Sequence, residues 1–336
     1  PGDPPHLAIH SLPRPSLGPH DVLVKVAACG VCYHDILVMR GVLRRGVKPQ
    51  VVLGHEIAGT VEEVGQLVFS LVPGDKVVSL LTEPCGWCTR CTTGREHRCL
   101  RGVGIGHSGD GGFADYVKLH ELALVPLPPE ADLVGGCLLA CPIGVALHAL
   151  RDAGGLQAGE TALITAAGGG VGTHAMQVAR AIGAHVLAQT TSPHKEEALR
   201  GLGADQVLVA PDLAFGDLAL AFTGEEGCQV VLNLIGARAF AECWKALAQF
   251  GRMLLVGELH GGSVPLIPAE VIFKDAHIIG VSGVSRSQVM DTVRLVQMRR
   301  VRPVVARTLP MGVEGALEAY RLLTQDHPLG RVVLVA

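Results

Sequence analysis

The segment Thr161-Ala-Leu-Ile-Thr165, followed by Ala166-Ala-Gly-Gly-Gly-Val-Gly172, constrains the fold of this 336-residue chain more than any other. An apolar strand runs into a glycine-rich turn, and the turn into a stretch whose Met176, Val178, Ala179 and Ile182 suit a helix. Strand, turn and helix in that order open a βαβ unit. Small residues let the backbone approach a pyrophosphate, and the helix N-terminus offers free N–H groups and the positive end of its dipole. The form is Ala-x-Gly-x-x-Gly from Ala167 through Gly169 to Gly172, with alanine where the dinucleotide fingerprint usually has its first glycine. Gly168, Gly169, Gly170, Val171 and Gly172 are the candidate phosphate contacts.

The surrounding texture agrees. From about Pro142 to Ser282, apolar runs (162–165, 186–189, 206–209, 230–234 and 252–256) alternate with helical stretches, which predicts a doubly wound parallel sheet. Before that, short β-type runs such as 22–26, 57–61 and 76–80 are punctuated by Gly, Pro and Asp, and read as an irregular β-rich domain whose loops carry chemistry. After Ser282 come two amphipathic helices, 287–298 and 313–323, and a terminal strand, 330–335, which return to the first domain. The expected layout is a discontinuous catalytic domain, 1–141 and 283–336, around an inserted dinucleotide-binding domain, 142–282.

A net charge of -3 without long runs of like charge gives no reason to expect nucleic acid or anionic lipid as partner, and leaves small molecules. Two long uncharged stretches, 133–150 and 161–179, contain Pro142, His148, His174 and paired glycines, so they read as buried elements of an α/β core and not as membrane spans. No signal peptide is visible in a chain that begins at Pro1, and the expected location is cytoplasmic.

Cys85-Gly-Trp-Cys88-Thr-Arg-Cys91, with Cys99 close behind, places four soft ligands where one loop can wrap a tetrahedral ion. Zinc suits the set best, with an iron-sulfur cluster or a group of thiols as alternatives. A full set of four sulfurs leaves zinc no open position, so this ion is expected to shape a loop and not to catalyse.

Taken with Gly54-His55-Glu56 and the Gly170-Val171-Gly172 turn, in that order and at those intervals, the four-cysteine loop makes the chain resemble the zinc-containing medium-chain alcohol dehydrogenase and reductase family from about Leu7 to the C-terminus. The resemblance implies a GroES-like catalytic domain beside a Rossmann domain. It also implies a second, catalytic zinc on Cys32, His55 and Cys141, making two per chain, with water or substrate oxygen in the fourth position. Asp35 would orient His55 through the nitrogen turned away from the metal, and Glu56 would approach the ion when the fourth ligand leaves. Family alcohol dehydrogenases often carry Ser or Thr two residues after the first zinc cysteine and His three residues later; here those places hold His34 and Leu37. His34 is therefore the candidate proton shuttle. Gly236, Val256, Gly257 and Ser282 match positions lining the nicotinamide groove, Arg331 matches one that reaches the pyrophosphate, and relatives commonly form homodimers or homotetramers.

Where an NAD-selective domain usually has a carboxylate for the ribose hydroxyls, this chain reads Thr190-Thr-Ser-Pro-His-Lys195. Thr190 takes the acidic position, while Thr191, Ser192 and Lys195 suit a 2′-phosphate, so NADP(H) is favoured and NAD(H) is the alternative. The first functional expectation is an alcohol dehydrogenase or aldehyde/ketone reductase acting on small, fairly apolar substrates. The second is reduction of an activated C=C bond, such as an enone or an acryloyl-type thioester, compatible with Cys32-Tyr-His-Asp35. A third is a nucleotide-binding protein that has lost catalysis.

Overall fold

The computed structural model describes residues 1–259 and 261–336. The chain forms two compact units, Pro1–Gly144 with Gly283–Arg294 and Pro303–Ala336, and Val145–Ser282 with Leu295–Arg302. Sequence alone groups 295–302 with the C-terminal return, whereas the structure sets it in the second unit. There the Gln177 side chain pairs with both backbone groups of Arg302, at 2.9 and 3.1 Å.

The first unit is built on one long strand, Asp21–Val31, whose alternate residues Val22, Val24 and Val26 enter a core with Ile57, Val61 and Val77. One edge of this strand pairs antiparallel with Glu56–Val64 along its length. The other edge is shared: residues 21–25 pair with Tyr116–His120, and residues 28–31 with Arg331–Val335. Register shifts at Leu23/Val24 and Val26/Ala28 bend the strand between these partners. Lys76–Ser79 and Leu124–Pro126 extend the sheet on one side and Val305–Pro310 on the other. This mostly antiparallel sheet is the β-rich unit expected from sequence. It brings the C-terminal end of the long strand, the start of Glu56–Val64 and the start of Arg331–Val335 side by side, and the candidate ligands stand there.

In the second unit six parallel strands run in the order 206–209, 185–190, 161–164, 228–233, 247–255, 277–280. Numbered along the chain this is 3-2-1-4-5-6, the doubly wound order with its reversal between the first and fourth strands. The central strands, 161–164, 185–190 and 228–233, are buried on both faces, which explains why Ala162, Leu163 and Ile164 are all apolar instead of alternating. The glycine-turn helix is Gly170–Ile182.

The uncharged stretch 133–150 is a succession of short, mostly buried helical turns. Among the described residues, no helix is long and apolar enough to cross a membrane.

Candidate active site

The four-cysteine loop folds back on itself through the short helical turns Thr89–Thr92 and Glu96–Arg98. The four sulfur atoms lie within 4.8 Å of one another, with Cys88 Sγ 3.5 Å from Cys91 Sγ and 3.8 Å from Cys99 Sγ. A tetrahedral ion with Zn–S bonds of about 2.3 Å needs sulfurs about 3.8 Å apart, a separation these two distances approach. Backbone N–H groups already serve the anionic form: Cys85 N and Arg101 N donate to Cys99 Sγ. Those of Leu100 and Cys91 help bring the Cys88 thiol down to about 6. All ten cysteines are free thiols. The loop is tied to the rest of the first unit by Glu96, whose carboxylate accepts the Arg286 backbone N–H at 2.6 Å.

A second cluster gathers Cys32, His55, Glu56 and Cys141, again with one ligand atom from each inside 4.8 Å. Each residue is placed by a different element. Cys32 caps the helix Tyr33–Met39 at the end of the long strand, and His55 and Glu56 stand at the start of the neighbouring strand. Cys141 lies in the widened helical turn Leu139–Gly144, whose regular bonding Pro142 interrupts. Cys32 Sγ and Cys141 Sγ are 4.0 Å apart, close to the tetrahedral separation. The hydrogen bond with Cys141, then the charges of Arg331 and His55, hold the Cys32 thiol well below its usual value against burial.

Asp35 is fully buried and fixes this geometry. One carboxylate oxygen accepts from Cys32 N at 2.8 Å, while the other accepts from Gly54 N at 3.3 Å and lies 3.5 Å from His55 Nδ1. His55 Nε2 is left facing the cluster, 3.9 Å from Glu56 Oε1, as the nitrogen that would bind a metal. Glu56, equally buried, is pushed up to about 7 by burial, with Arg331 pulling the other way. Its carboxylate lies across Gly30, where a Cβ would come within 2.0 Å of Oε2. Neither Glu56 oxygen makes a well-aligned hydrogen bond, and the charge beside Oε1 is the Arg331 guanidinium at 3.0 Å.

Arg331, expected to reach a pyrophosphate, is buried in this cluster. Its Nη2 is 3.0 Å from Glu56 Oε1 and 4.0 Å from Cys141 Sγ, and its Nη1 donates to Val31 O. His34 packs its ring edge-on against His55, with centroids 5.2 Å apart, and also meets His107 at 5.1 Å. Burial first, then the charge on His55, lowers its pKa. His107 and the Arg331–Glu56 pair escape sequence reading. His107 lies in a loop with no ligand spacing, and the ion pair spans 275 positions, from 56 to 331.

In the second unit the glycine turn leaves the first strand through Ala166, held at φ 47° by two bonds from Gln189. Ala166 N donates to the side-chain oxygen at 3.0 Å and Ala167 N to the backbone oxygen at 2.9 Å. At Gly172 a Cβ would lie 2.4 Å from Ala166 O, so helix and turn close on each other only because the residue is glycine. Thr190 ends the neighbouring strand, and its hydroxyl accepts from Ser192 N at 3.1 Å. Thr191 is exposed, while Lys195 is buried with its chain laid over Gly168. Gly236, Val256 and Gly257 follow the C-terminal ends of the fourth and fifth strands, and Val256 N donates to Asn233 O at 3.1 Å. Ser282 stands just past the sixth strand, after Val281 has bonded to Leu255 O. The expected cofactor residues other than Arg331 thus collect at one end of the parallel sheet, where ligands of doubly wound sheets bind.

Comparison with known proteins matches both halves of the chain. Residues 18–129 fit the family model described as alcohol dehydrogenase GroES-like domain, and residues 170–298 the one described as zinc-binding dehydrogenase. The acryloyl-coenzyme A reductase of Sulfurisphaera tokodaii is 33% identical over 97% of this chain and 95% of its own length. The NAD-dependent alcohol dehydrogenase of Saccharolobus solfataricus is 32% identical, covering 99% and 97%. The crystal structure of AibC has a TM-score of 0.89 at 36% identity, covering 96% of this chain and 90% of that one.

Proposed function

Because the chain belongs to the zinc-containing medium-chain alcohol dehydrogenase and reductase family, an oxidoreductase family that uses zinc and a nicotinamide cofactor, we propose that it is an NADP(H)-dependent reductase of carbonyl-activated substrates. The acceptor is an activated C=C bond, as in an α,β-unsaturated thioester. A bound nicotinamide would supply hydride to the β-carbon while a proton goes to the α-carbon, so that the double bond is reduced and the cofactor oxidised. The observation that carries this reading is His34, an imidazole packed on His55 where alcohol-oxidising relatives carry a hydroxyl. Similarity over nearly full length to an acryloyl-coenzyme A reductase supports it.

The residues take the following roles. Cys32, His55 and Cys141 would hold a catalytic zinc, which would supply Lewis-acid polarisation of the substrate carbonyl, and Cys85, Cys88, Cys91 and Cys99 would hold a structural one. Asp35 fixes His55, and Arg331 offsets the charge that Glu56 and the two thiolates concentrate in a buried site. His34 moves the proton, and His107 supports its ring. Gly168, Gly169, Gly170, Val171 and Gly172 cradle the pyrophosphate, and Gly236, Val256, Gly257 and Ser282 line the nicotinamide side. Thr190, Thr191, Ser192 and Lys195, with no acid among them, receive the 2′-phosphate. By function the chain divides as a catalytic zinc-binding domain, 1–141 and 283–336, and a cofactor domain, 142–282.

The alcohol–carbonyl couple is the second reading, favoured by similarity to an NAD-dependent alcohol dehydrogenase and by the apolar Leu37 and Leu43 near the ligand helix. Steady-state rates with NADPH and NADH, on an unsaturated thioester, an enone and benzaldehyde, decide between them. Reduction of the thioester and enone with NADPH at rates far above benzaldehyde is expected; the reverse order establishes the second reading.

A further inference from the structure

The stretch from Ile36 to Gly54 carries Arg40, Arg44, Arg45 and Lys48 and no carboxylate, in a chain whose net charge is negative. Two of these cations are occupied: Arg40 pairs with Asp3 at 3.0 Å and Lys48 with Asp110. Arg44 and Arg45 are exposed and make no ion pair among the described residues; Arg44 Nε only closes the loop on Gly41 O.

The loop is anchored to the segment around His107 and Asp110, whose His107 ring leads back to the metal cluster. His107 Nε2 bonds Arg45 O at 3.0 Å, Lys48 N donates to His107 O at 2.8 Å, and Val52 N donates to Asp110 at 3.1 Å. Ring contacts then run from His107 to His34 to His55. Two unpaired guanidinium groups therefore sit on a pinned loop, two rings away from a candidate zinc ligand. Guanidinium forks suit phosphate, and their exposure means that binding there costs little desolvation. A small apolar aldehyde or alcohol offers them nothing to bind.

Resting on the thioester reading above, we infer that Arg44 and Arg45 recognise the phosphates of the substrate's carrier, so that the substrate is a coenzyme A thioester and not a free enone or simple thioester. The two arginines act as specificity-determining residues: they bind the handle and leave the reacting atoms to the metal cluster.

The test compares one unsaturated acyl group carried by coenzyme A or by N-acetylcysteamine, which has no phosphate, on the zinc-loaded wild type and on R44Q/R45Q. The expected result is a KM for the coenzyme A thioester raised about tenfold in the variant, the scale of one or two charge-assisted contacts at an exposed site. The wild-type value should also rise with salt, while kcat and the N-acetylcysteamine constants stay unchanged. Free coenzyme A should compete with the N-acetylcysteamine thioester, and not with NADPH, in the wild type only. Equal constants for both carriers in the wild type, or a variant that leaves the coenzyme A KM unmoved, overturns the inference while the reductase reading stands. If neither thioester is reduced although benzaldehyde is, the reductase reading itself falls and takes the inference with it.

Discussion

Asp35 accepts from the Cys32 and Gly54 N–H groups and stands 3.5 Å from the His55 Nδ1, so its charge faces the ring nitrogen turned away from the cluster and helps position a candidate zinc ligand. Asp35→Asn, which turns an acceptor into a donor, should lower metal affinity and turnover by about 10- to 100-fold, read by titration with a zinc chelator. The two cysteine clusters should respond differently to truncation. Cys32→Ala is expected to abolish turnover with little change in melting temperature, because its site is surrounded by a packed sheet. Cys88→Ala should lower the melting temperature first, since that loop has little buried apolar surface besides the ion. Gly172→Ala places a methyl against the Ala166 backbone, which cannot move aside as a side chain would, and should abolish NADPH binding measured by fluorescence titration.

At the scale of elements, five strands and the glycine turn of the second unit were legible because burial in a parallel sheet leaves an apolar run for each; the sixth, His277–Gly280, is a partly exposed edge strand and leaves no such run. The four-cysteine loop was legible for another reason, its ligands lying within one turn of chain. Cys32, His55 and Cys141 carried no such signal; only the pairing of Gly30 with Glu56, and the turn around Pro142, bring them together, and neither is local in sequence. Arg331 and Glu56 were each singled out, but not as partners, because only the sheet sets one beside the other. The second unit holds one further pair unreadable from spacing. Arg252, on the fifth strand, reaches both oxygens of Glu160, ahead of the first, at 2.9 and 2.6 Å. Burial would raise the Glu160 carboxyl, yet the Arg252 bonds outweigh it and hold it below its ordinary value. A depressed carboxyl gives stability that is complete above the unfolded value of about 4.3 and lost as pH falls through the folded one. Glu160→Gln should therefore cost about 1–3 kcal/mol in urea unfolding at neutral pH and flatten the acid limb of the stability profile.

The whole molecule combines a zinc-binding unit and a doubly wound unit, and the account requires each to be loaded. Metal analysis should return two zinc ions per chain. One ion, lost only when the four-cysteine loop is mutated, would mark a protein that binds nucleotide without catalysing. The most direct test of the central claim is the rate of NADPH oxidation by the two-zinc protein with an α,β-unsaturated thioester, wild type beside Cys32→Ala. The account predicts rapid oxidation with one equivalent of saturated thioester formed in the wild type, and none in the variant at an unchanged melting temperature. Turnover that survives Cys32→Ala would contradict it.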